Sequence, residues 1–311
     1  MKETFFSEEC NIKDDIQVFS VENEEGLITP KSIELAFKKA DFEITATKNT
    51  NQVFMDNFNE SDFTVYNMMT FYQKDLLLAL AKDYEEVGVL SPMSMSIYTL
   101  KGTNKISIAT LSIEGMAKIL NIPKDDERLM ALNNLIIYAL KLALEDGVFE
   151  ERGYACLEKE GDLISKFSMP VEEESWKDKM TVLDLKLNEK VTENGLIIVT
   201  QKDLHEDFTE ALYDGYDFYR VYSLCKVNIL FDIAKSRPEA GAFAPCSCYV
   251  YKKRGENDVH IGFPSVYNWL SSLSITKAKD VKLLSEIQEG MQGILLELVR
   301  TVEVRNELNL S

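Results

Sequence analysis

The stretch SPMSMSIYTLKGTNKISIATLS (residues 91–112) aligns without a gap with APCSCYVYKKRGENDVHIGFPS (residues 244–265), and seven of the 22 positions are identical. Most other positions exchange similar residues, such as Met93 for Cys246 and Met95 for Cys248. An offset of 153 residues is too long for a solenoid repeat. The chain is therefore predicted to contain a duplicated domain.

Each copy of this stretch has the pattern of a β-hairpin followed by helices. Alternating apolar residues predict two half-buried strands, joined by a polar turn that contains Gly102 or Gly255. Ser112 and Ser265 stand where a helix N-cap is expected. A longer helix then closes each copy, over residues 125–146 with Gly147 as its C-terminal cap and over residues 278–300.

The similarity extends towards the N-terminus of each copy. Predicted strands at residues 42–46 and 62–66 match residues 196–200 and 217–222, and short buried helices are predicted at residues 76–81 and 229–234. An amphipathic helix over residues 31–39 has a weaker counterpart at 185–192. We therefore expect a loosely packed acidic tail (1–27), a first repeat domain (28–147), an acidic linker (148–179) with a short strand at 154–157, and a second repeat domain (180–311).

The second copy resembles a known family. The motifs VYSLC (221–225), IL (229–230), RPEAGAFAPC (237–246) and YVY (249–251) are similar to those of the family called domain of unknown function 302. The first copy is similar more loosely, through VY (65–66), EVGVLSP (86–92) and SIY (96–98), with methionines near both cysteine positions.

The resemblance implies a compact α+β fold, in which an antiparallel sheet carries helices on one face, and a tendency of subunits to pair. It implies no established activity. We therefore expect two homologous domains of this fold, arranged as an internal pseudo-dimer; whether the chain associates further is left open.

The net charge and the distribution of apolar residues indicate which kinds of binding partner the protein disfavours. The net charge of −18 repels polyanions, so nucleic acids and anionic membranes are disfavoured. No stretch approaches the roughly 20 apolar residues of a membrane span, and the N-terminus lacks a secretory core, so we expect a cytoplasmic protein. The five cysteines are scattered and odd in number, which favours reduced thiols.

Cys246 and Cys248 admit two interpretations. Side chains two residues apart on a strand point to the same face, so the pair could handle redox chemistry or a soft metal such as copper or zinc. Alternatively, they pack with Val250 against Val259, Ile261 and Phe263, as small buried hydrophobes. The packing interpretation has more support, because both predicted strands are almost wholly apolar on that face.

Cys225 is the third thiol to consider. The family pattern pairs its position with that of Cys246, so a Cys225/Cys246 dithiol would form if the fold brings them together. Copy one has no cysteine at either place, so any such chemistry would belong to copy two alone.

A separate group of residues is predicted on the opposite face of the hairpin. Tyr98 and Tyr251 occupy identical positions there, and Tyr249 and His260 share the face in copy two. These side chains would line a ligand cleft or fill the seam between the copies. We weigh the seam more heavily, since duplicated domains must bury that surface.

No catalytic constellation is recognisable. The chain has only two histidines, and it lacks a phosphate-binding loop and a nucleophile elbow. We therefore expect a non-catalytic binding or interaction module, with a small ligand or protein partner at the surface between the repeats. The alternative is a thiol-dependent redox or soft-metal protein centred on the second-repeat cysteines. The sequence names no cofactor.

Overall fold

The computed structural model describes residues 15–151, 157–158, 161–172 and 176–308, with side chains up to residue 300. Its α+β fold contains two antiparallel sheets, each covered by helices. The first half of the chain comprises β1 (Ile16–Glu22), α1 (Pro30–Lys39), β2 (Glu43–Asn49), α2 (Thr50–Phe58), β3 (Phe63–Tyr72), α3 (Lys74–Ala81), a first 3₁₀ helix (Glu85–Leu90), β4 (Met93–Leu100), β5 (Lys105–Leu111), α4 (Ile113–Leu120), α5 (Glu127–Ala143) and β6 (Val148–Phe149).

The second half repeats much of this order. It comprises β7 (Ile164–Pro170), α6 (Trp176–Glu193), β8 (Ile197–Asp203), α7 (Leu204–Glu210), β9 (Tyr216–Cys225), α8 (Val227–Ala234), a second 3₁₀ helix (Pro238–Ala242), β10 (Cys246–Lys253), β11 (Asp258–Pro264), α9 (Tyr267–Ser272) and α10 (Ala278–Leu308).

The two sheets have corresponding strand orders. The first sheet runs β2-β3-β4-β5-β1-β6 and the second runs β7-β11-β10-β9-β8. Register corresponds as well: Phe71 pairs with Met93 in the first sheet, and Leu224 with Cys246 in the second, 153 positions later in both cases. The shared order and register agree with the predicted repeat.

The predicted hairpins are present in both halves. Gly102 and Gly255 both have φ of +81°, a left-handed conformation that glycine adopts without steric cost, and each lies in the turn between its strands. The peptide bonds before Pro92 and Pro245 are both cis.

Most predicted helices form, but two caps differ from expectation. Ser112 caps α4 by accepting a hydrogen bond from the Gly115 amide. Ser265 does not cap α9, because its hydroxyl donates to the Asp162 carbonyl instead. Gly147 is not the C-cap of α5 either: the helix ends at Ala143, and its C-cap is Leu144, three residues before Gly147.

The segments expected to be a loosely packed tail and a linker contribute strands that the sequence did not predict. The predicted tail contains β1, which lies between β5 and β6 and buries Ile16, Val18 and Phe19. The predicted linker contains β7, which pairs with β11 along its whole length, and the start of α6. Of the strand expected at 154–157, residues 154–156 lie outside the described part of the chain, and Leu157 is not in a strand.

Helices cover the outer face of each sheet. In the first half, α1 packs on α5 and places Phe37 against Phe71 of β3. In the second half, α6 and α10 bury an apolar cluster that contains Cys248, Val250, Val259 and Ile261. Another cluster joins the core of the first half to the inner face of the second sheet, so the inner faces of both sheets belong to one continuous core.

Candidate functional site

The inner faces of the sheets meet the opposite half of the chain. The first 3₁₀ helix packs on β10, and the second 3₁₀ helix packs on β4. Each half therefore inserts the same element against the sheet of the other.

A hydrogen bond from each half to the 3₁₀ helix of the other accompanies these contacts. The Tyr66 hydroxyl donates to the Pro238 carbonyl at 3.0 Å, and the Tyr219 hydroxyl donates to the Glu85 carbonyl at 2.5 Å. Tyr219 lies 153 positions after Tyr66, and Pro238 lies 153 positions after Glu85. Two corresponding bonds therefore run in opposite directions across the seam between the halves.

Two corresponding glycines allow the close approach. A Cβ on Gly88 would lie 2.7 Å from both the Tyr219 hydroxyl and Tyr249 Cβ, and a Cβ on Gly241 would lie 2.6 Å from Ser96 Cβ. The Gly88 amide also donates to the Tyr219 hydroxyl at 2.8 Å. The chain needs glycine at both places for the 3₁₀ helices to reach the opposite sheet.

The tyrosines considered for ligand binding lie at this seam. Tyr98, Tyr249 and Tyr251 are all less than a tenth exposed, and Tyr251 packs on Tyr249 with ring centroids 5.7 Å apart. His260 stacks on Tyr251 at 4.8 Å, but a third of its side chain is exposed. His260 thus lies on the face opposite Cys248, at the rim of the seam.

The three described cysteines surround one cavity in the second half. Cys225 at the end of β9 and Cys246 and Cys248 on β10 all line it. Burial raises the pKa of each thiol from 9.0 to about 12, so all three are protonated at neutral pH. Cys10 and Cys156 lie outside the described residues.

The cavity has a volume of about 60 Å³ and nearly apolar walls. Trp269 of α9 and Met291 of α10 contribute to it, together with Leu230 of α8. The sequence placed two of the thiols on one strand face, but it did not indicate that helices from three other places in the chain would enclose a space beside them. In the described part of the chain, no group of three or more His, Cys, Asp or Glu residues could hold a metal ion.

A larger, more polar groove of about 760 Å³ lies on the surface between the halves. The first half contributes Glu86 and the end of α4, from Lys118 to Asn121. The second half contributes residues 161–167, Tyr267 and three residues of α10, namely Gln288, Gln292 and Leu296. The sequence predicted a binding surface between the repeats but indicated none of these lining residues, because one wall is β7, which was expected to be part of a linker.

Residues 178–298 match the model of the family described as domain of unknown function DUF302. The second half contains a DUF302 domain. The match includes all three cysteines of the cavity and begins after β7. The tandem duplication remains a prediction, since the first half lies outside the matched residues.

A solved structure that is similar to this chain also has the DUF302 description. The uncharacterized conserved protein DUF302 from Bacillus stearothermophilus has 16% sequence identity and a TM-score of 0.36; the alignment covers 43% of this chain and 97% of that chain. No curated protein matches. Over the residues described, no helix is long and apolar enough to cross a membrane.

Proposed function

We propose that this protein is a non-catalytic binding module that holds an extended, net-basic polypeptide segment of a partner in the groove between its halves. The observation that carries the proposal is that an edge strand, β7, forms one wall of that groove.

The groove is bordered by the edge of β7 and not by one face of the strand. Side chains alternate between the faces of a strand, yet the consecutive residues 164–167 of β7 all line the groove. The pairing of β7 with β11 occupies only one side of the strand. An edge strand presents main-chain N–H and C=O groups along its other side, and an extended peptide can add there as a further strand.

The side chains of the groove suit a peptide with both polar and apolar residues. Lys166 of β7 forms an ion pair with Glu86 of the first half across the groove. Leu296 of α10 is 45% exposed and offers an apolar contact for a partner side chain. The net charge of −18 attracts a basic segment in preference to an acidic one.

The alternative of thiol or soft-metal chemistry has less support. A thiol with a pKa of about 12 supplies little thiolate at neutral pH, and the thiolate is the nucleophile and the metal ligand. Cys225 and Cys248 are also buried, which limits access by a protein-sized redox partner.

The test is selection of a phage-displayed library of short peptides on the full chain, followed by titration of the enriched peptides. We expect basic peptides whose affinity falls about tenfold or more in Leu296→Glu. Leu185→Glu is the matched control, because Leu185 is an exposed helix leucine of the same half that does not line the groove. A failure to enrich peptides, or equal loss of affinity in both variants, would overturn the proposal.

A further inference from the structure

We infer that the cysteine-lined cavity of the second half is a binding site for a small, uncharged apolar molecule of a few heavy atoms. This cavity shares one wall residue, Gln288, with the groove but is otherwise lined by different residues, and the inference does not rest on the proposed function. It follows from how the cavity arises, from the chemistry of its walls, from its size and from its access to solvent.

The cavity lies where the second half carries smaller side chains than the first. Met93 and Met95 stand at the positions of Cys246 and Cys248, and Tyr72 stands at the position of Cys225. Strand register supports these equivalences, since Met69 pairs with Met95 and Tyr222 pairs with Cys248. Cysteine lacks a methylene and the S-methyl group of methionine, and it lacks the whole ring of tyrosine.

Other exchanges restore part of this volume. Trp269 is larger than Met116, and Phe263 is larger than Thr110, at the corresponding positions. Both aromatic residues line the cavity, so the space of about 60 Å³ is what remains beside them. In the first half the larger side chains of Met93 and Met95 are buried at these positions.

The walls leave little for water to bind. Two polar side chains besides the thiols line the cavity, Lys226 and Gln288, and Lys226 is partly exposed to solvent. Gln288 is already paired: its Oε1 accepts from the Val266 amide at 3.0 Å and its Nε2 donates to Ser165 Oγ at 2.7 Å. The Cys246 thiol donates to the Phe243 carbonyl at 3.2 Å. Because a buried water needs two to four polar partners, an apolar occupant is favoured over water.

Size restricts the occupant further. A protein cavity of about 150 Å³ holds benzene or xenon, so a cavity of about 60 Å³ suits an atom or molecule smaller than benzene. Lys226 and Cys246 line the cavity and are both partly exposed, which marks the side from which a ligand can enter.

Xenon is the probe for this site. Crystals of the full chain under xenon pressure are expected to show an anomalous peak within the cavity, next to Cys248. The variant Cys248→Met, which installs the residue of the first half, is expected to remove that peak. Met95→Cys, the reverse exchange, is the matched control and should leave the peak beside Cys248 in place.

Two results would overturn the inference. One is the absence of xenon from the cavity of the wild-type protein, which needs no variant to be folded. The other is a peak of unchanged occupancy in Cys248→Met. If overpacking prevents that variant from folding, Cys246→Met fills the same space from the partly exposed end and is read in the same way.

Discussion

Tyr66 and Tyr219 lie 153 positions apart, and each donates a hydrogen bond to a carbonyl of the opposite half, Pro238 and Glu85 respectively. The carbonyls that accept these two bonds differ in their other hydrogen-bond donors. The Ser96 hydroxyl also donates to the Pro238 carbonyl at 3.0 Å. Both phenols also face a glycine amide, Gly241 at Tyr66 and Gly88 at Tyr219. The difference is that the Pro238 carbonyl keeps a second donor, the Ser96 hydroxyl, when the Tyr66 phenol is removed.

This difference predicts unequal effects of removing the hydroxyls. Tyr219→Phe should lower the free energy of unfolding by about 1–3 kcal/mol, because the Glu85 carbonyl loses its phenol donor, and Tyr66→Phe should lower it by less, because the Pro238 carbonyl keeps the Ser96 hydroxyl. Urea unfolding of the full chain measures both. Tyr138→Phe, at a tyrosine that is 54% exposed, is the control. The reverse order of the two losses would contradict this assignment.

The glycines of the seam should not tolerate a side chain. Gly88→Ala and Gly241→Ala are each expected to cost about 1–3 kcal/mol, because a methyl group would lie within 2.7 Å of the opposite half. Gly290→Ala in α10 is the matched control, since nothing lies within 4 Å of its Cβ position and alanine favours a helix by up to about 1 kcal/mol. Thermal unfolding of the three variants gives the comparison, and a neutral Gly88→Ala would show that the seam is loosely packed.

Asp126 should stabilise α5 both as a cap and as a charge. Its carboxylate accepts hydrogen bonds from the Arg128 and Leu129 amides, and the Arg128 guanidinium holds the pKa of the carboxyl well below its usual range. Asp126→Ala should cost about 1 kcal/mol or somewhat more, and Asp126→Asn, which keeps a capping oxygen, should cost less.

The charge of Asp126 also sets a pH dependence. Because the folded pKa is depressed, its contribution is present above the ordinary value of 3.8 and is lost as the pH falls below it. Denaturant unfolding from neutral to acidic pH should show a shallower acid loss in Asp126→Asn than in the wild type. Parallel curves would mean that the ion pair with Arg128 contributes nothing.

The buried thiol of Cys248 should make the protein sensitive to alkali. Its pKa rises from 9.0 to about 12 on folding, so the unfolded chain releases this proton first as the pH increases. Stability from this group is complete below pH 9 and falls by up to about 1.4 kcal/mol per pH unit above it. Between about pH 8 and about pH 11, the free energy of unfolding should decline less steeply in Cys248→Ala than in the wild type. The tyrosines contribute equally to both proteins and therefore do not affect the comparison. Equal slopes would argue that the thiol is hydrated.

The sequence predicted the elements that depend on local pattern. The hairpins around Gly102 and Gly255 follow from alternation and turn chemistry, and the N-cap at Ser112 from its position before an apolar run. Ser265 failed as a cap because the Asp162 carbonyl, in a segment distant in sequence, takes its hydroxyl. A local pattern carries no information about such a partner.

The missed strands have a related cause. In β1 and β7, pairing with β5 and β11 supplies the stabilisation, while their surroundings in sequence are acidic and weakly patterned. The sequence also placed Cys248 and His260 on opposite faces of the hairpin, as the structure has them. It could not predict the cavity, because Met291 and Trp269 reach the thiols only through the packing of helices.

The seam has a consequence for stoichiometry. Because both halves belong to one chain, the surface around Tyr219 always meets Glu85 of its own molecule, and a tether of this kind makes the encounter intramolecular. Cysteines in the second half therefore need not be matched by cysteines at the corresponding positions of the first half. The cavity lies beside Cys248, and the corresponding residue of the first half is the larger Met95. We therefore expect each chain to take up a single equivalent of ligand.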